Sequence, residues 1–342
     1  MTDFIQSVTG AVDSKQIKSV LAHEHFFIDL SHQGPDADPR PVTPADREQL
    51  LRNPYSIRDN LILDNENTAL EECRELAACG CNLVVECSNP GCGRHVGKLR
   101  ELSECSGVHI VCGCGFYTAD THPTDLEYQS VELLTEQLLD EIRFGAEGTT
   151  CKPGIIGEIG TSKEILPGER KALQAAGRAS RESGLAVQIH IYPWSTNGLE
   201  ALDILLKEKV APERIVICHA DVAPDREYIL KLLKAGVFVE FDNFGKEFIC
   251  EPGGFAAGAF AKDRERAALV AELMQLGFAD KLLITNDICL KCMLREHGGE
   301  GYTHIFRNMI PLISSFGIPE EEIRQILLHN NPLRMLAGRI DN

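Results

Sequence analysis

The sequence predicts an α/β fold, a single (β/α)8 TIM barrel with long strand-to-helix loops at its C-terminal face. Three observations predict it. Short runs rich in Val and Ile recur eight times, at residues 18–25, 82–88, 108–117, 154–162, 185–192, 214–221, 237–243 and 281–287. Several are apolar throughout rather than alternating, as parallel strands covered outside by helices require. Longer segments with helical spacing separate them, and strand and helix alternating eight times is the pattern of a closed barrel. A doubly wound open sheet is the rival, but no GxGxxG follows the first strand.

The first strand run ends in His23-Glu24-His25, and an excursion over residues 31–60, with prolines and mixed charge, follows it. Segment 66–79 then sets Leu70, Cys73 and Ala77 on one face, with Glu71, Glu72 and Glu75 towards the other. Segments 131–144, 169–183, 225–235 and 264–276 are spaced alike. Gly80, Gly145, Gly184 and Gly236 stand where helix C-terminal caps want them. Two further excursions, 244–261 and 287–303, follow strands seven and eight. All three excursions should emerge at the mouth where barrel substrates bind. The closing segment, 318–336, reads as helical and is expected to pack across the barrel's outside. The chain reads as one domain over residues 1–342, without internal repeats beyond the βα unit.

Composition narrows the function. The 51 acidic side chains against 34 basic ones give a net charge of −17, a field that repels phosphate backbones and anionic lipid surfaces. The expected partner is a small-molecule substrate, with no nucleic acid and no membrane. The N-terminal residues lack the basic start and apolar core of a signal peptide, and no apolar run approaches the length of a membrane span. The thirteen cysteines are odd in number, and Cys87, Cys112 and Cys218 fall inside apolar strand runs. Free thiols in a reducing compartment fit that pattern better than a disulfide framework, so the expected location is cytoplasmic.

The chemistry concentrates at the ends of the strand runs. Residues two apart on a strand share a face, so His23 and His25 both enter the barrel while Glu24 points outward. Strand four carries Glu158, strands five and six end at His190 and His219, and strand eight ends at Asp287. Ionisable side chains near the ends of five strands are costly in an apolar barrel unless they are paired or bind metal. Imidazole and carboxylate together suit zinc, manganese, iron or cobalt.

The set His23-x-His25, Glu158, His190, His219 and Asp287, in that order and strand placement, resembles the phosphotriesterase family of the amidohydrolase superfamily. The likeness extends to Gly154–Gly160, to Gly113–Tyr117 and to His297–His304, and is greatest to the phosphotriesterase-related branch. The resemblance implies two divalent metal ions, zinc first. His23, His25 and Asp287 would hold the more buried ion, His190 and His219 the more exposed one, and a carboxylate would bridge them. The best-known phosphotriesterases bridge with a carboxylated lysine. Here Lys152 lies at the wrong end of strand four, and Glu158 takes the place, which argues against organophosphate hydrolysis. A homodimer is the assembly the family implies.

The expected function is therefore binuclear metal-dependent hydrolysis: a hydroxide shared by two cations attacks the carbonyl of a carboxylic ester, lactone or N-acyl amide, with Asp287 as the catalytic proton shuttle. The alternatives are a catalytically silent binding protein on the same barrel and a true phosphotriesterase. Tyr117, Arg94, Tyr302 and His304 are the candidate substrate contacts, Arg94 through bidentate anion recognition. The Cys289-x-x-Cys292 pair lacks a second ligand pair for structural zinc and reads as incidental thiols.

Overall fold

In the computed structural model, residues 4–34, 36–250 and 258–337 are described; residues 251–257 of the expected seventh-strand excursion lie outside them. All eight expected strands form: β1 (Val20–Glu24), β2 (Leu83–Glu86), β3 (His109–Cys114), β4 (Ile155–Gly160), β5 (Val187–His190), β6 (Ile215–Ile217), β7 (Phe238–Phe241) and β8 (Leu282–Ile284). They pair in parallel, each with its neighbour in sequence. Side chains close the seam between β8 and β1, where the Thr285 hydroxyl lies 2.9 Å from the His23 carbonyl. The result is a (β/α)8 barrel.

Helices cover the outside: α1 (Glu66–Ala78), α2 (Val96–Ser106), α3 (Val131–Phe144), α4 (Pro167–Ser183), α5 (Gly198–Lys207), α6 (Arg226–Ala235) and α7 (Asp263–Leu273). Their boundaries follow local chemistry. Asn65, Ser130 and Asp225 accept the orphan N–H groups at the starts of α1, α3 and α6. Gly184 and Gly236 end α4 and α6 in left-handed conformation, at φ 77° and 91°.

Two apolar layers result. Alternate strand residues such as Leu21, Val84 and Ile110 face the helices, while Ala22, Val85, Val111, Ile155, Val216 and Phe238 meet inside the barrel. Ile5 and Val12, from a hairpin joining Phe4–Ser7 to Gly10–Asp13, belong to the inner cluster, as do Met335 and Leu336 of the closing helix. That helix reaches further into the core than a purely external packing would place it. No helix among the described residues is long and apolar enough to cross a membrane. All thirteen cysteines are free thiols.

Candidate active site

Regular alternation would not deliver the site residues. Val20 and Ala22 face the barrel interior, so strict alternation would send His23 outward. A bulge corrects this: Leu21 pairs with Val84 but Glu24 pairs with Glu86, three steps on β1 against two on β2. β4 does the same around Glu158, where Ile156 pairs with Val187 and Ile159 with Ile189. Just past β6, Cys218 belongs to the inner cluster, and His219 turns in at a positive φ of 58°. Asp287 sits just past β8 at φ 48°. Only His190 follows simple alternation, in line with Ala186 and Gln188.

The six residues converge, all buried. Glu158 Oε1 lies 2.7 Å from His219 Nε2, 3.0 Å from His190 Nδ1 and 3.5 Å from His23 Nε2. His219 Nε2 and His190 Nδ1 are 2.9 Å apart. Asp287 Oδ1 stands 3.1 Å from His25 Nε2 and 3.9 Å from His23 Nε2. Two sets, His23/His25/Asp287 and His23/Glu158/His219, each bring one ligand atom per residue within 4.8 Å of all the others. His23 Nε2 is buried without a hydrogen bond. Imidazole and carboxylate donors around an unsatisfied nitrogen fit a pair of borderline divalent ions.

The far sides of three imidazoles are held as metal-ligating histidines require. His23 Nδ1 faces Glu240 Oε2 at 3.1 Å, and His219 Nδ1 faces Asp242 Oδ1 at 3.1 Å. His25 Nδ1 meets the Ser88 hydroxyl at 2.9 Å, which itself donates to Glu86 Oε1 at 2.8 Å. Each contact fixes a tautomer and turns Nε2 towards the centre. Electrostatics follow the same pattern. Burial pulls the His23 pKa down, but Glu158, Glu240 and Asp287 outweigh it and lift it to about 10. Burial pushes Asp287 up, yet Lys246, His25 and His23 hold its carboxyl below the usual aspartate range.

A cavity of about 60 Å³ opens onto these residues. The three expected excursions all reach it, through Tyr55, Phe248 and Phe260, and Cys289 and Leu290. Tyr117 lines it, its hydroxyl 3.3 Å from His190 Nδ1. The other three candidate contacts are corrected. Arg94 is buried with its guanidinium taken by Glu141, Glu147 and the Gly113 carbonyl, so it braces α3 rather than a substrate. Tyr302 points its hydroxyl at the His25 carbonyl, 2.5 Å away. His304 is held between Asp263 at 2.7 Å and Asn308 at 2.9 Å.

Sequence reasoning missed Lys246. Its ammonium contacts Asp287 Oδ2, and it is the one Lys or Arg lining the cavity among the described residues. Asp242 was missed too, though it ends strand seven as the other site residues end theirs. Among the described residues, Cys289 and Cys292 join no metal-ligand group.

The model of the phosphotriesterase family matches residues 3–336. The chain belongs to that family. The N-acetyltaurine hydrolase of Tetraodon nigroviridis is 34% identical over 337 residues, covering 95% of this chain and 96% of that one. Among solved structures, the resiniferatoxin-binding protein of Rhodobacter sphaeroides superposes with a TM-score of 0.93 at 28% identity, covering 98% of this chain and 95% of that one. The phosphotriesterase homology protein of Escherichia coli, complexed with phosphate in its active site, gives 0.79 at 27% identity over 94% and 99%. With these relatives the chain is a hydrolase on the family's barrel, carrying a buried His/Asp/Glu cluster at the barrel mouth.

Proposed function

We propose that the chain is a two-metal hydrolase acting at a carboxylic carbonyl, with an N-acyl amide as the favoured substrate and carboxylic esters and lactones as the alternatives. The observation that carries this reading is the position of Glu158 Oε1, within 3.5 Å of ring nitrogens from His23, His190 and His219. The N-acetyltaurine hydrolases, alike over almost the whole chain, support the amide. Two divalent ions, zinc first and manganese, cobalt or iron next, would be held by His23, His25, Glu158, His190, His219 and Asp287, and would supply an acidified water and an electrophile for the carbonyl oxygen.

The protein's own groups do the rest. Asp287, kept ionised by Lys246, accepts the proton of the attacking water and hands it to the leaving amine. Lys246 has three donors, so with Asp287 and Cys289 beside it one remains for an anionic group on the amine side of the substrate. The Tyr117 hydroxyl lies beside His190 and can orient the acyl carbonyl. Leu30, Phe248 and Phe260 wall the cavity with apolar surface. The free thiols support a cytoplasmic location, and the family likeness supports a homodimer.

A second reading, a silent binding protein, draws on the neighbour named as a resiniferatoxin-binding protein. Metal analysis of the purified protein, followed by turnover of N-acetylated amino sulfonates, N-acetyl amino acids, γ-lactones and an aryl phosphotriester, decides between them. The expected result is two ions per chain and preferred turnover of an anionic N-acyl amide. Two ions with tight binding and no turnover would favour the binding reading. Retention of no ion would defeat the proposal.

A further inference from the structure

We propose that Glu24, the middle residue of His23-Glu24-His25, is a positioning residue for Asp287: it grips the backbone on both sides of that aspartate and holds it in the left-handed conformation that aims it at His25. This rests on the reading of Asp287 as metal ligand and proton acceptor.

The geometry is direct. The bulge that turns His23 inward leaves Glu24 fully buried against the end of β8. Its Oε1 accepts from the Thr285 hydroxyl at 2.6 Å, the Asn286 backbone N–H at 2.9 Å and the Asn286 side-chain amide at 2.9 Å. Its Oε2 accepts from the Ile288 N–H at 2.8 Å. The two backbone donors flank Asp287, whose φ of 48° is unfavourable for a side-chain-bearing residue. Such a conformation is sparsely populated and persists only where surrounding structure over-determines it. Bonds from both flanking backbone N–H groups to one buried carboxyl group supply that constraint.

Tyr302 closes the assembly from the other side. Its carbonyl accepts from Asn286 Nδ2 at 3.2 Å, while its hydroxyl donates to the His25 carbonyl at 2.5 Å. His25 and Asp287 are thus fastened to one another twice through the backbone, and their 3.1 Å contact is the outcome. A glutamate between two ligating histidines then has a purpose of its own: the strand that supplies the imidazoles also sets the carboxylate they face.

Glu24→Gln tests this. It turns one acceptor oxygen into an N–H donor facing donors, without changing shape. With zinc removed stepwise by a chromophoric chelator, the ion on His23, His25 and Asp287 should be released at about 10–100-fold lower chelator strength, while the ion on His190 and His219 is lost as in wild type. Turnover should show kcat reduced and KM nearly unchanged, and Glu24→Gln combined with Asp287→Asn should be no slower than Asp287→Asn alone. Should Glu24→Gln fail to fold, Tyr302→Phe removes only the tie to His25 and should give the same selective zinc loss in milder form. Wild-type zinc affinity and kcat in whichever of these variants folds, equal weakening of both ions, or multiplicative effects in the double variant would overturn the inference while leaving the hydrolase reading intact. A wild-type protein that takes up no zinc and turns over no substrate would overturn both.

Discussion

Asp242 holds His219 twice over: its carboxylate accepts the His219 backbone N–H at 2.9 Å and 3.1 Å through its two oxygens, and it faces the ring Nδ1 at 3.1 Å. One carboxylate therefore fixes both the tautomer of this imidazole and the left-handed backbone that turns it inward. Asp242→Ala should weaken the ion held by His190 and His219 by about 10–100-fold, measured by zinc competition, with kcat falling in parallel. An unchanged zinc affinity would show that His219 needs no such support.

Removing either a ligand or the proton acceptor should separate metal binding from chemistry. His190→Ala should lower the metal content and abolish turnover with little loss of folding. Asp287→Asn should keep the fold and much of the metal but lose about 10³-fold or more in kcat, as expected of an essential proton-transfer group. Near wild-type turnover by Asp287→Asn would remove its assigned role.

Lys246 should set substrate charge preference. Lys246→Met removes the cavity's cation, and kcat/KM for an N-acetylated amino sulfonate should fall about 10–100-fold further than for a neutral N-acetylated amine of equal size. Comparing each substrate between variant and wild type cancels any shared effect through Asp287. Equal losses on both substrates would assign Lys246 to Asp287 alone.

Acid should loosen the loop that carries Lys246. Burial pushes Asp263 up, but His304, the Gly245 N–H and Arg266 outweigh it, so its carboxyl sits below its ordinary value. A depressed carboxyl contributes stability that is present above the unfolded aspartate pKa of about 3.9 and is lost as pH falls through the lower folded value. Urea midpoints measured between neutral pH and pH 3 should fall for the wild type, and Asp263→Asn should flatten the acid limb of that curve. A wild-type acid limb surviving in Asp263→Asn would place its origin elsewhere.

The barrel was legible because eight apolar runs and their intervening helical segments carry the pattern of the fold in composition alone. The runs overreach the ladders: residues 281–287 read as strand, but pairing stops at Ile284, and the remaining residues place Thr285, Asn286 and Asp287 instead. The buried cluster was legible because ionisable residues at strand ends are conspicuous in an apolar barrel. How they are aimed was not. Nothing in composition marks the extra residue in β1 or β4, or the positive φ at His219 and Asp287. Arg94 and His304 were misread because the carboxylates that occupy them, Glu141, Glu147 and Asp263, lie 41 to 53 residues away in sequence. Lys246 was passed over because a lone lysine in a small-residue loop looks like a solvated one.

The seam between the last strand and the first has a bearing on assembly. Glu24 and Asn286 are 262 positions apart, so their contact closes a loop that spans most of the chain. A nascent or truncated chain lacking its eighth strand already contains five of the six clustered donors, yet lacks Asp287. On the proposed reading competence arrives with the final stave, and a nick that frees it should silence the protein.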